Sequence, residues 1–210
     1  MKKLAIVGSG DLGQLMAHHA LAANMDVVAF YDDFKPKNDR VKNIPVLGGL
    51  DAVIKDFHAG LFEQIAVGVG YKHLVFKQDL INNFIQEKIP LANIIHPTAY
   101  IDSSAHLGVG IFVLPRCVVD AGVTLGDGVL LNTGVCVAHD TTIGPCSFIA
   151  PAAALAGFIQ LGERCFVGTN STLIDNLTII SDTRIGAGAV VTTNINQPGL
   201  YVGMPARKIK

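Results

Sequence analysis

The sequence predicts two folds in series, a small α/β domain with a parallel sheet followed by a parallel β-helix. A glycine-rich turn stands between an apolar strand and a helical segment near the start of the chain. Further on, every sixth residue from Ile95 to Val191 is Ile, Leu or Val, at seventeen positions without an exception. We therefore expect an α/β domain over residues 1–91, a β-helix over residues 92–192, and a loop with a basic tail over residues 193–210.

The first domain begins with the βαβ pattern of a Rossmann-like half-domain. Leu4 to Val7 forms a buried strand, Gln14 to Asn24 a helix, and Asp26 to Tyr31 a second strand that ends in two aspartates. The turn between strand and helix reads Gly-x-Gly-x-x-Gly, which lets the backbone approach a phosphate at a helix N-terminus. A glycine-rich turn without a ligand is the alternative. Residues 1–91 supply about half of a dinucleotide fold, so a mononucleotide fits this length better than NAD.

The remaining elements of this domain follow from their apolar patterns. Ile44 to Gly48 predicts a short strand, Leu50 to Phe57 a helix, and Ile65 to Gly70 a buried strand ending in glycines. Tyr71 to Lys88 predicts a helix, and Asn93 to Pro97 a strand that leads into the repeat. The expected buried side of the last helix comprises Leu74, Phe76, Leu80, Ile81, Phe84 and Ile85.

The six-residue repeat is a β-structure because a helix cannot produce it. Six helical residues end about 240° away from the starting direction, so the aliphatic stripe would visit three helix faces. A strand returns every sixth residue to the same face. Short strands that turn a corner every six residues form a hexapeptide β-helix, with three hexads in each coil. We therefore expect four glycines spaced eighteen residues apart to stack at one corner: Gly108, Gly126, Gly144 and Gly162.

The composition limits which binding partners and which cellular compartment we expect for this protein. The formal net charge of −1 gives no reason to expect nucleic acid as a partner. The chain has no 18-residue apolar run and no signal peptide before its first strand, so we expect no membrane insertion. Its four cysteines form no CxxC motif, and Cys117 and Cys165 fall on inward positions of the repeat. A reduced, cytoplasmic protein is the expected class.

One histidine inside the repeat has the chemistry of a base. A metal site would need three histidines, and only His106 and His139 lie in the repeat proper, so we expect no metal. Asp140 follows His139 and can fix its tautomer and raise its basicity. A solvated corner histidine is the alternative. The outward positions nearby are unusually apolar, which predicts contact with another subunit: Leu130, Cys136, Ala138, Phe148, Ala150, Ala152, Ala154, Ala156 and Phe158.

The run from His139 to Gly162 resembles the hexapeptide-repeat, left-handed β-helix acyltransferases. Together with the glycine turn, Asp32-Asp33, His96-Pro97 and the tail from Val202 to Arg207, it is similar to one branch, the NeuD/PglD-like sugar N-acetyltransferase family. The resemblance covers essentially the whole chain. It implies a left-handed β-helix, a homotrimer with CoA between neighbouring prisms, and transfer of an acetyl group from acetyl-CoA to the amino group of a nucleotide-linked amino-deoxysugar.

The resemblance also implies roles for individual residues. His139 would be the general base, Asp140 would orient it, and Asn132 would position the amine or the histidine. The backbone N–H of Gly157, one coil after His139 and about 4.8 Å away along the axis, would stabilise the oxyanion. The residues implied in CoA binding are Thr169, Asn170, Ala187 and Arg207. Those implied in nucleotide-sugar binding are Gly8, Gly10, Asp32, Asp33, Gly68 and Gly70.

Four departures from the family pattern fall on the acceptor side. Asp11 and Leu12 replace a glycine and a histidine of the first turn, Phe148 replaces a second histidine found in some relatives, and Val69 replaces a polar residue. Three alternatives therefore stay open. The chain could be an acyltransferase with another acceptor or acyl donor, a non-catalytic nucleotide-binding or assembly protein, or an NAD-binding protein.

Overall fold

The computed structural model describes residues 1–210, which form two compact units, residues 1–96 and residues 97–210. The first unit contains a five-stranded sheet in the order β3-β4-β2-β1-β5, parallel except for the β3–β4 hairpin. The strands of this sheet are β1 (Lys2–Val7), β2 (Met25–Tyr31), β3 (Arg40–Val41), β4 (Ile44–Gly48) and β5 (Gln64–Val67), and β6 (Ile94–Ile95) lies outside it. Its helices are α1 (Asp11–Ala20), α2 (Leu50–His58) and α3 (Leu74–Gln86).

Close backbone contacts explain the glycines after β1. Gly8 has φ +86°, a left-handed conformation that glycine adopts without strain. A side-chain carbon on Gly13 would overlap the Gly8 carbonyl oxygen, and one on Gly68 would lie 2.8 Å from the Gly13 Cα. Three glycines thus let β1, α1 and the loop after β5 approach one another, and the fold requires each of them.

Two helices of the first unit differ from the sequence prediction. Helix α1 begins three residues earlier than expected, directly after Gly10, and ends at Ala20. In α3 the expected core residues Phe76 and Ile85 are exposed, whereas Lys77 is buried. The reason is periodicity, because Lys77 lies three residues from both Leu74 and Leu80 on the buried side, while Phe76 and Ile85 lie off that stripe.

The second unit is a left-handed parallel β-helix whose strands lie on three faces. The first face contains β7 (Tyr100–Ile101), β10 (Val118–Val119), β13 (Cys136–Val137), β16 (Ala154–Leu155), β19 (Thr172–Leu173) and β22 (Val190–Val191). The second contains β8 (His106–Leu107), β11 (Thr124–Leu125), β14 (Thr142–Ile143), β17 (Gln160–Leu161) and β20 (Thr178–Ile179). The third contains β9 (Phe112–Val113), β12 (Leu130–Leu131), β15 (Phe148–Ile149), β18 (Phe166–Val167), β21 (Thr183–Ile185), β23 (Gly199–Val202) and β24 (Arg207–Lys208).

The repeat aliphatics fill the interior of the prism, as the sequence predicts. Each is the last residue of a short strand, and all those from Val113 to Val191 are buried. The other inward position carries small side chains, including the buried hydroxyls of Thr141 and Ser147. These hydroxyls donate to the carbonyls of Ala156 and Gly162 at 2.8 and 3.0 Å, so the buried polar groups are satisfied.

The faces meet at three corners, which we name by the face that precedes them. The first corner comprises residues 102–105, 120–123, 138–141, 156–159 and 174–177. The second comprises residues 108–111, 126–129, 144–147, 162–165 and 180–182. The third comprises residues 114–117, 132–135, 150–153, 168–171 and 186–189.

Corner geometry repeats with the same six-residue period. Every sixth residue from Gly110 to Gly188 has a positive φ, between 53° and 71°, whether or not it is glycine. The four expected glycines do stack at the second corner. A side-chain carbon on Gly126 would lie 2.7 Å from the Pro145 nitrogen, and one on Gly144 would lie 2.5 Å from the Glu163 nitrogen.

The expected apolar strip is divided between faces. Leu130, Phe148 and Ala150 are buried within the chain, whereas Cys136 and Ala152 are exposed. The interpretation of these residues as one continuous outward surface is therefore wrong, because hexads one and two apart lie on different faces of the prism. Only the exposed members remain available for a neighbouring subunit.

The unit boundary and the tail also differ from expectation. The units divide after residue 96 rather than 91, because Ile65 donates to the Pro90 carbonyl and accepts from the Ala92 N–H at the edge of the first sheet. Residues 193–210 are not a simple loop, since β23 pairs with β21 and β24 returns antiparallel to β23. No helix in the structure combines the length and the apolar character needed to cross a membrane.

Candidate active site and nucleotide cavity

The first corner places His139 beside its carboxylate. The Nδ1 atom of His139 lies 3.0 Å from Asp140 Oδ2. Asp140 occupies the left-handed corner position with φ +56°, which aspartate tolerates better than most residues. With Nδ1–H donating to Asp140, the lone pair of the imidazole is on Nε2. The His139 side chain is 49% exposed within one chain.

Gly157 lies directly against the His139 ring, one coil further along the first corner. A side-chain carbon on Gly157 would lie 2.8 Å from His139 Cε1 and 3.0 Å from Nε2. The imidazole therefore occupies the space that any larger residue would need. The Gly157 carbonyl accepts from the Asn176 N–H at 3.0 Å, but its own N–H donates no hydrogen bond within the chain. This leaves a donor without a partner on the residue that contacts the imidazole.

Phe158 completes the surroundings of the imidazole. Its ring centroid lies 5.1 Å from that of His139, with the two planes at 87°, an edge-to-face contact. Phe158 is 50% exposed and has φ +59°, which is an unusual conformation for a bulky residue. From the sequence, Phe158 is expected only to be an outward apolar residue. Adding one residue to the eighteen-residue coil spacing from His139 would have identified it.

The other predicted catalytic and CoA residues lie at the third corner, not the first. The Asn132 side-chain oxygen accepts from the Thr133 N–H at 2.8 Å, and the whole of the first face separates it from His139. Thr169, Asn170 and Ala187 are exposed at this same corner, where the Thr169 carbonyl accepts from the Gly188 N–H at 2.8 Å. Thr169 lies on a different corner from Gly157, because two hexads separate the two residues and a full coil has three.

Arg207 lies near the last coil of this corner. It is exposed in β24, and the neighbouring Ala206 N–H donates to the Val190 carbonyl at 2.8 Å, just after the corner that carries Ala187. One chain thus contains two separate sets of predicted site residues. His139 and Gly157, the predicted base and oxyanion donor, form one set at the first corner, and Asn132 with the predicted CoA residues forms the other.

The first unit contains a cavity of about 490 Å³ at the carboxyl ends of its parallel strands. This is where ligands bind in open α/β sheets. Its lining includes Phe34, His73 and Phe76. It also includes all six predicted substrate residues: Gly8, Gly10, Asp32, Asp33, Gly68 and Gly70.

Two of these glycines have no structural reason to lack a side chain. A side-chain carbon on Gly10 or Gly70 would meet nothing within 4 Å, and neither residue has a positive φ. Gly10 precedes α1, whose first turn has no side-chain cap. Helix N-termini with uncapped N–H groups attract anions, and a glycine there allows a phosphate to come close.

The two aspartates hold different parts of the cavity wall. Asp32 Oδ2 accepts from the N–H and the hydroxyl of Ser9, at 2.8 and 2.6 Å, and its Oδ1 accepts from the Phe34 N–H at 2.9 Å. Burial raises the pKa of Asp32, but these three hydrogen bonds together with the charge of Lys35 outweigh it, so the net pKa lies below the usual value. Asp33 Oδ1 accepts from the Leu50 N–H at 2.8 Å, at the start of α2. Ser9 was not predicted as a site residue.

Comparison with known proteins gives matches over both units. The family profile described as the PglD N-terminal domain matches residues 3–74. A mutant of perosamine N-acetyltransferase from Caulobacter crescentus, solved in complex with CoA and GDP-perosamine, is 30% identical, with a TM-score of 0.93 over 100% of this chain and 98% of that one. The acetyltransferase domain of PglB from Neisseria gonorrhoeae, in complex with acetyl coenzyme A, is 30% identical, with a TM-score of 0.89 over 99% of both chains. The chain belongs to the NeuD/PglD-like sugar N-acetyltransferase family.

Curated relatives of the family match part of the chain only. UDP-3-O-acylglucosamine N-acyltransferase from Bordetella pertussis is 41% identical over 80 residues, which is 38% of this chain. The chain spans about a fifth of the length of that relative, since the match covers 22% of it. No group of three or more histidine, cysteine, aspartate or glutamate side chains in this family member is arranged to hold a metal ion.

Proposed function

We propose that this protein transfers the acetyl group of acetyl-CoA to the amino group of a nucleotide-linked amino-deoxysugar. The observation that carries the proposal is the arrangement at the first corner. His139 is held at Nδ1 by Asp140, and its ring lies against Gly157, whose N–H donates no hydrogen bond within the chain. A base and an oxyanion donor are the two groups that acyl transfer to an amine requires.

The reaction follows from these two groups. The sugar amine attacks the thioester carbonyl, a C–N bond forms, and the carbonyl oxygen becomes an oxyanion that the Gly157 N–H stabilises. His139 Nε2 takes the proton from the amine nitrogen, the C–S bond breaks, and CoA leaves. Asp140 stabilises the imidazolium. The two corner segments that carry His139 and Gly157, residues 138–141 and 156–159, contain no serine or cysteine, so direct transfer is favoured over an acyl-enzyme.

We also propose a homotrimer in which each site joins two subunits. Base and oxyanion donor lie at the first corner, whereas Asn132, Thr169, Asn170 and Ala187 lie at the third. One chain cannot bring both sets to one acetyl group, but rotation about a threefold axis can place the third corner of one copy beside the first corner of the next. This arrangement would also cover His139 and exclude water from the base. A cytoplasmic location stays a prediction.

The cavity of the first unit supports a nucleoside diphosphate as the part of the substrate that this unit binds. It combines the uncapped start of α1 with two open glycines, Gly10 and Gly70. NAD is less favoured, since dinucleotide folds use the acidic residue after β2 to hold the ribose hydroxyls. Here both oxygens of Asp32 already accept protein hydrogen bonds from Ser9 and Phe34. A thermal shift with NAD and none with UDP- or dTDP-sugars would contradict this assignment.

The decisive variant is His139→Ala. Removing the base should lower the rate of CoA release from acetyl-CoA and a 4-amino-deoxysugar nucleotide roughly 10²–10⁴-fold. The exposed side chain contributes little to the core, so light scattering should give the wild-type mass. Asp140→Asn keeps the imidazole and should lose less activity. Unchanged turnover in His139→Ala would exclude His139 as the base.

A further inference from the structure

We propose that Asp120 binds the acceptor amine, accepting a hydrogen bond from one of its two N–H groups while His139 takes the proton of the other. The inference rests on the proposed acetyl transfer and assigns the residue that selects an amine over a hydroxyl. Asp120 lies at the first corner, in the coil before His139, and its backbone N–H donates to the Val137 carbonyl at 3.0 Å.

The side of the imidazole that faces the preceding coil is lined by a small residue. Gly157 contacts the ring from the following coil, and Phe158 packs against it edge to face. In the preceding coil the residue eighteen positions before His139 is Ala121, about 4.8 Å away along the axis. Ala121 is exposed, and its carbonyl accepts from the Asp140 N–H at 2.9 Å. With the thioester carbonyl directed at Gly157, we expect the amine on the Ala121 side.

The Asp120 carboxylate is fixed at this open side. Its Oδ1 accepts from the Ala121 N–H at 2.8 Å, while its Oδ2 takes part in no hydrogen bond within the chain. The residue is partly exposed, so a bound molecule can reach the second oxygen. By contrast, both oxygens of Asp102, one coil earlier, already accept hydrogen bonds from Ser104 and Tyr100. Asp120 is thus the carboxylate of the two that has an oxygen available for a substrate.

The outward residues at the start of this corner change character at the coil of the base. The position that precedes the column of His139 is aspartate in the two earlier coils and apolar from that coil onward: Asp102, Asp120, Ala138, Ala156 and Ile174. The polar end of this row lies on the side expected for the amine. Its apolar end lies on the side of Gly157, where the thioester would be. The two substrates would therefore approach the base from opposite sides.

The two hydrogens of an amine match the two acceptors. His139 Nε2 takes one proton as the C–N bond forms, and the departing thiolate receives that proton when the C–S bond breaks. The other hydrogen stays on nitrogen, becomes the amide N–H of the product, and donates to Asp120 Oδ2 throughout. A hydroxyl has a single hydrogen, which His139 takes, so its oxygen would present only lone pairs to the carboxylate. Asp120 therefore favours an amine and disfavours a hydroxyl.

The test compares an amino sugar with its hydroxyl analogue. In Asp120→Ala, kcat/KM for the 4-amino-deoxysugar nucleotide should fall roughly 10- to 100-fold, the loss expected for a hydrogen bond to a charged group. The KM for acetyl-CoA should stay unchanged. The inhibition constant of the same nucleotide sugar with a hydroxyl in place of the amine should not rise, because that ligand makes no favourable contact with Asp120. Asp120→Asn keeps an acceptor oxygen and should recover much of the activity.

Asp102→Ala is the matched control. It removes an aspartate from the same position of the same corner, but one whose oxygens are occupied by Ser104 and Tyr100. Its kcat/KM for the amino sugar should equal that of wild type. Light scattering should give the wild-type mass for both alanine variants.

Three outcomes would contradict the inference. A wild-type kcat/KM in Asp120→Ala would show that Asp120 does not bind the amine. An equal loss for the amino sugar and the hydroxyl analogue would indicate a distorted corner instead, and a lower mass would indicate a contact between subunits. These results leave the proposed function intact, whereas a wild-type protein that acetylates no amino-sugar nucleotide would overturn the proposed function together with this role of Asp120.

Discussion

At the scale of single residues, the position of the His139 side chain at the first corner explains why residue 157 is a glycine. The His139 ring lies where a side chain of Gly157 would be, and the Phe158 ring closes the adjacent side. Asp140 fixes the remaining direction through Nδ1. The imidazole is thus constrained on three sides before any substrate binds, which is the pre-organisation that general base catalysis requires.

Gly157→Ala should therefore reduce catalysis without unfolding the chain. The new methyl group would lie 2.8–3.3 Å from three atoms of the His139 ring and push it aside. A displacement of about 1 Å should lower kcat roughly 10- to 100-fold, with little change in KM. In a His139→Ala background the same substitution should have no further effect on the residual rate. An additive loss in the double variant would contradict this explanation.

The variant Phe158→Asn tests whether Phe158 positions the His139 ring, separately from its effect on the stability of the fold. Asparagine relieves the left-handed backbone by about 1 kcal/mol, and losing the aromatic contact costs about as much. The free energy of unfolding should then change by less than about 1 kcal/mol, while kcat falls. Arg116→Asn has the same φ relief at +62° but no contact with His139, so it should stabilise the fold and leave kcat unchanged. Equal kcat in both variants would argue against a positioning role.

At the scale of elements, the second corner is held by a charged pair between consecutive coils. Arg164 Nε and Nη2 donate to the two oxygens of Asp182, both at 2.8 Å, and Arg164 also contacts Glu163 at 2.6 Å. The hydrogen bond from Arg164 is the main reason that the pKa of Asp182 lies below its usual value, and burial opposes it only in part. The pair joins residues that are eighteen positions apart.

Asp182→Asn should therefore destabilise the β-helix in a pH-dependent way. A carboxylate with a lowered pKa stabilises the fold above its unfolded pKa of about 4 and loses that contribution as the pH falls through the folded value. Because both side chains are partly exposed, the cost at pH 7 should be at most about 1 kcal/mol. Urea unfolding at pH 7 and at pH 2.5 should show a difference at the higher pH only.

Much of the fold could be predicted because packing in a prism leaves few choices. An interior position must be aliphatic in every hexad, and the pattern from Ile95 to Val191 therefore identified the β-helix. The cavity residues were also predictable, since Gly8, Gly10 and the two aspartates follow the ends of adjacent parallel strands. Phe158 was missed because its contact with His139 depends on a left-handed backbone that aromatic residues rarely adopt.

The corner assignments could have been made from the sequence but were not. Residues share a corner only when their numbers differ by a multiple of eighteen, allowing for position within the turn, and His139 and Gly157 satisfy this rule. Thr169 does not, although it lies on the same six-residue repeat. In α3, by contrast, hydrophobicity alone gave a wrong prediction that Phe76 and Ile85 are buried. Helical geometry orients these two side chains away from the buried stripe of Leu74, Leu80 and Phe84.

At the scale of the whole molecule, the separation of the two corners predicts that activity belongs to an assembly. Light scattering should give the mass of a trimer. If each site uses the first corner of one subunit and the third corner of its neighbour, two inactive variants should complement each other. His139→Ala damages the first corner, and Asn132→Ala damages the third.

Mixed assembly provides the quantitative test. When the two variants are unfolded, mixed in equal amounts and refolded together, about a quarter of the sites should have two intact halves, because each half is intact with a chance of about one in two. Activity should then recover to about a quarter of wild type. Mixing without refolding is the control and should restore nothing. No recovery after refolding would indicate that each site is built from a single chain.

The positive φ at every sixth residue from Gly110 to Gly188 has a consequence for how such a protein can change its length. Inserting one residue would turn every later inward side chain outward, and inserting six would move each later residue to the next corner. Within these regular coils, only the gain or loss of a whole coil keeps every downstream residue on its own corner. Between His139 and Gly157 a whole coil would also separate the pair, since their contact depends on a single turn. The regular part of the prism can therefore grow or shrink only in whole-coil steps, outside the interval from His139 to Gly157.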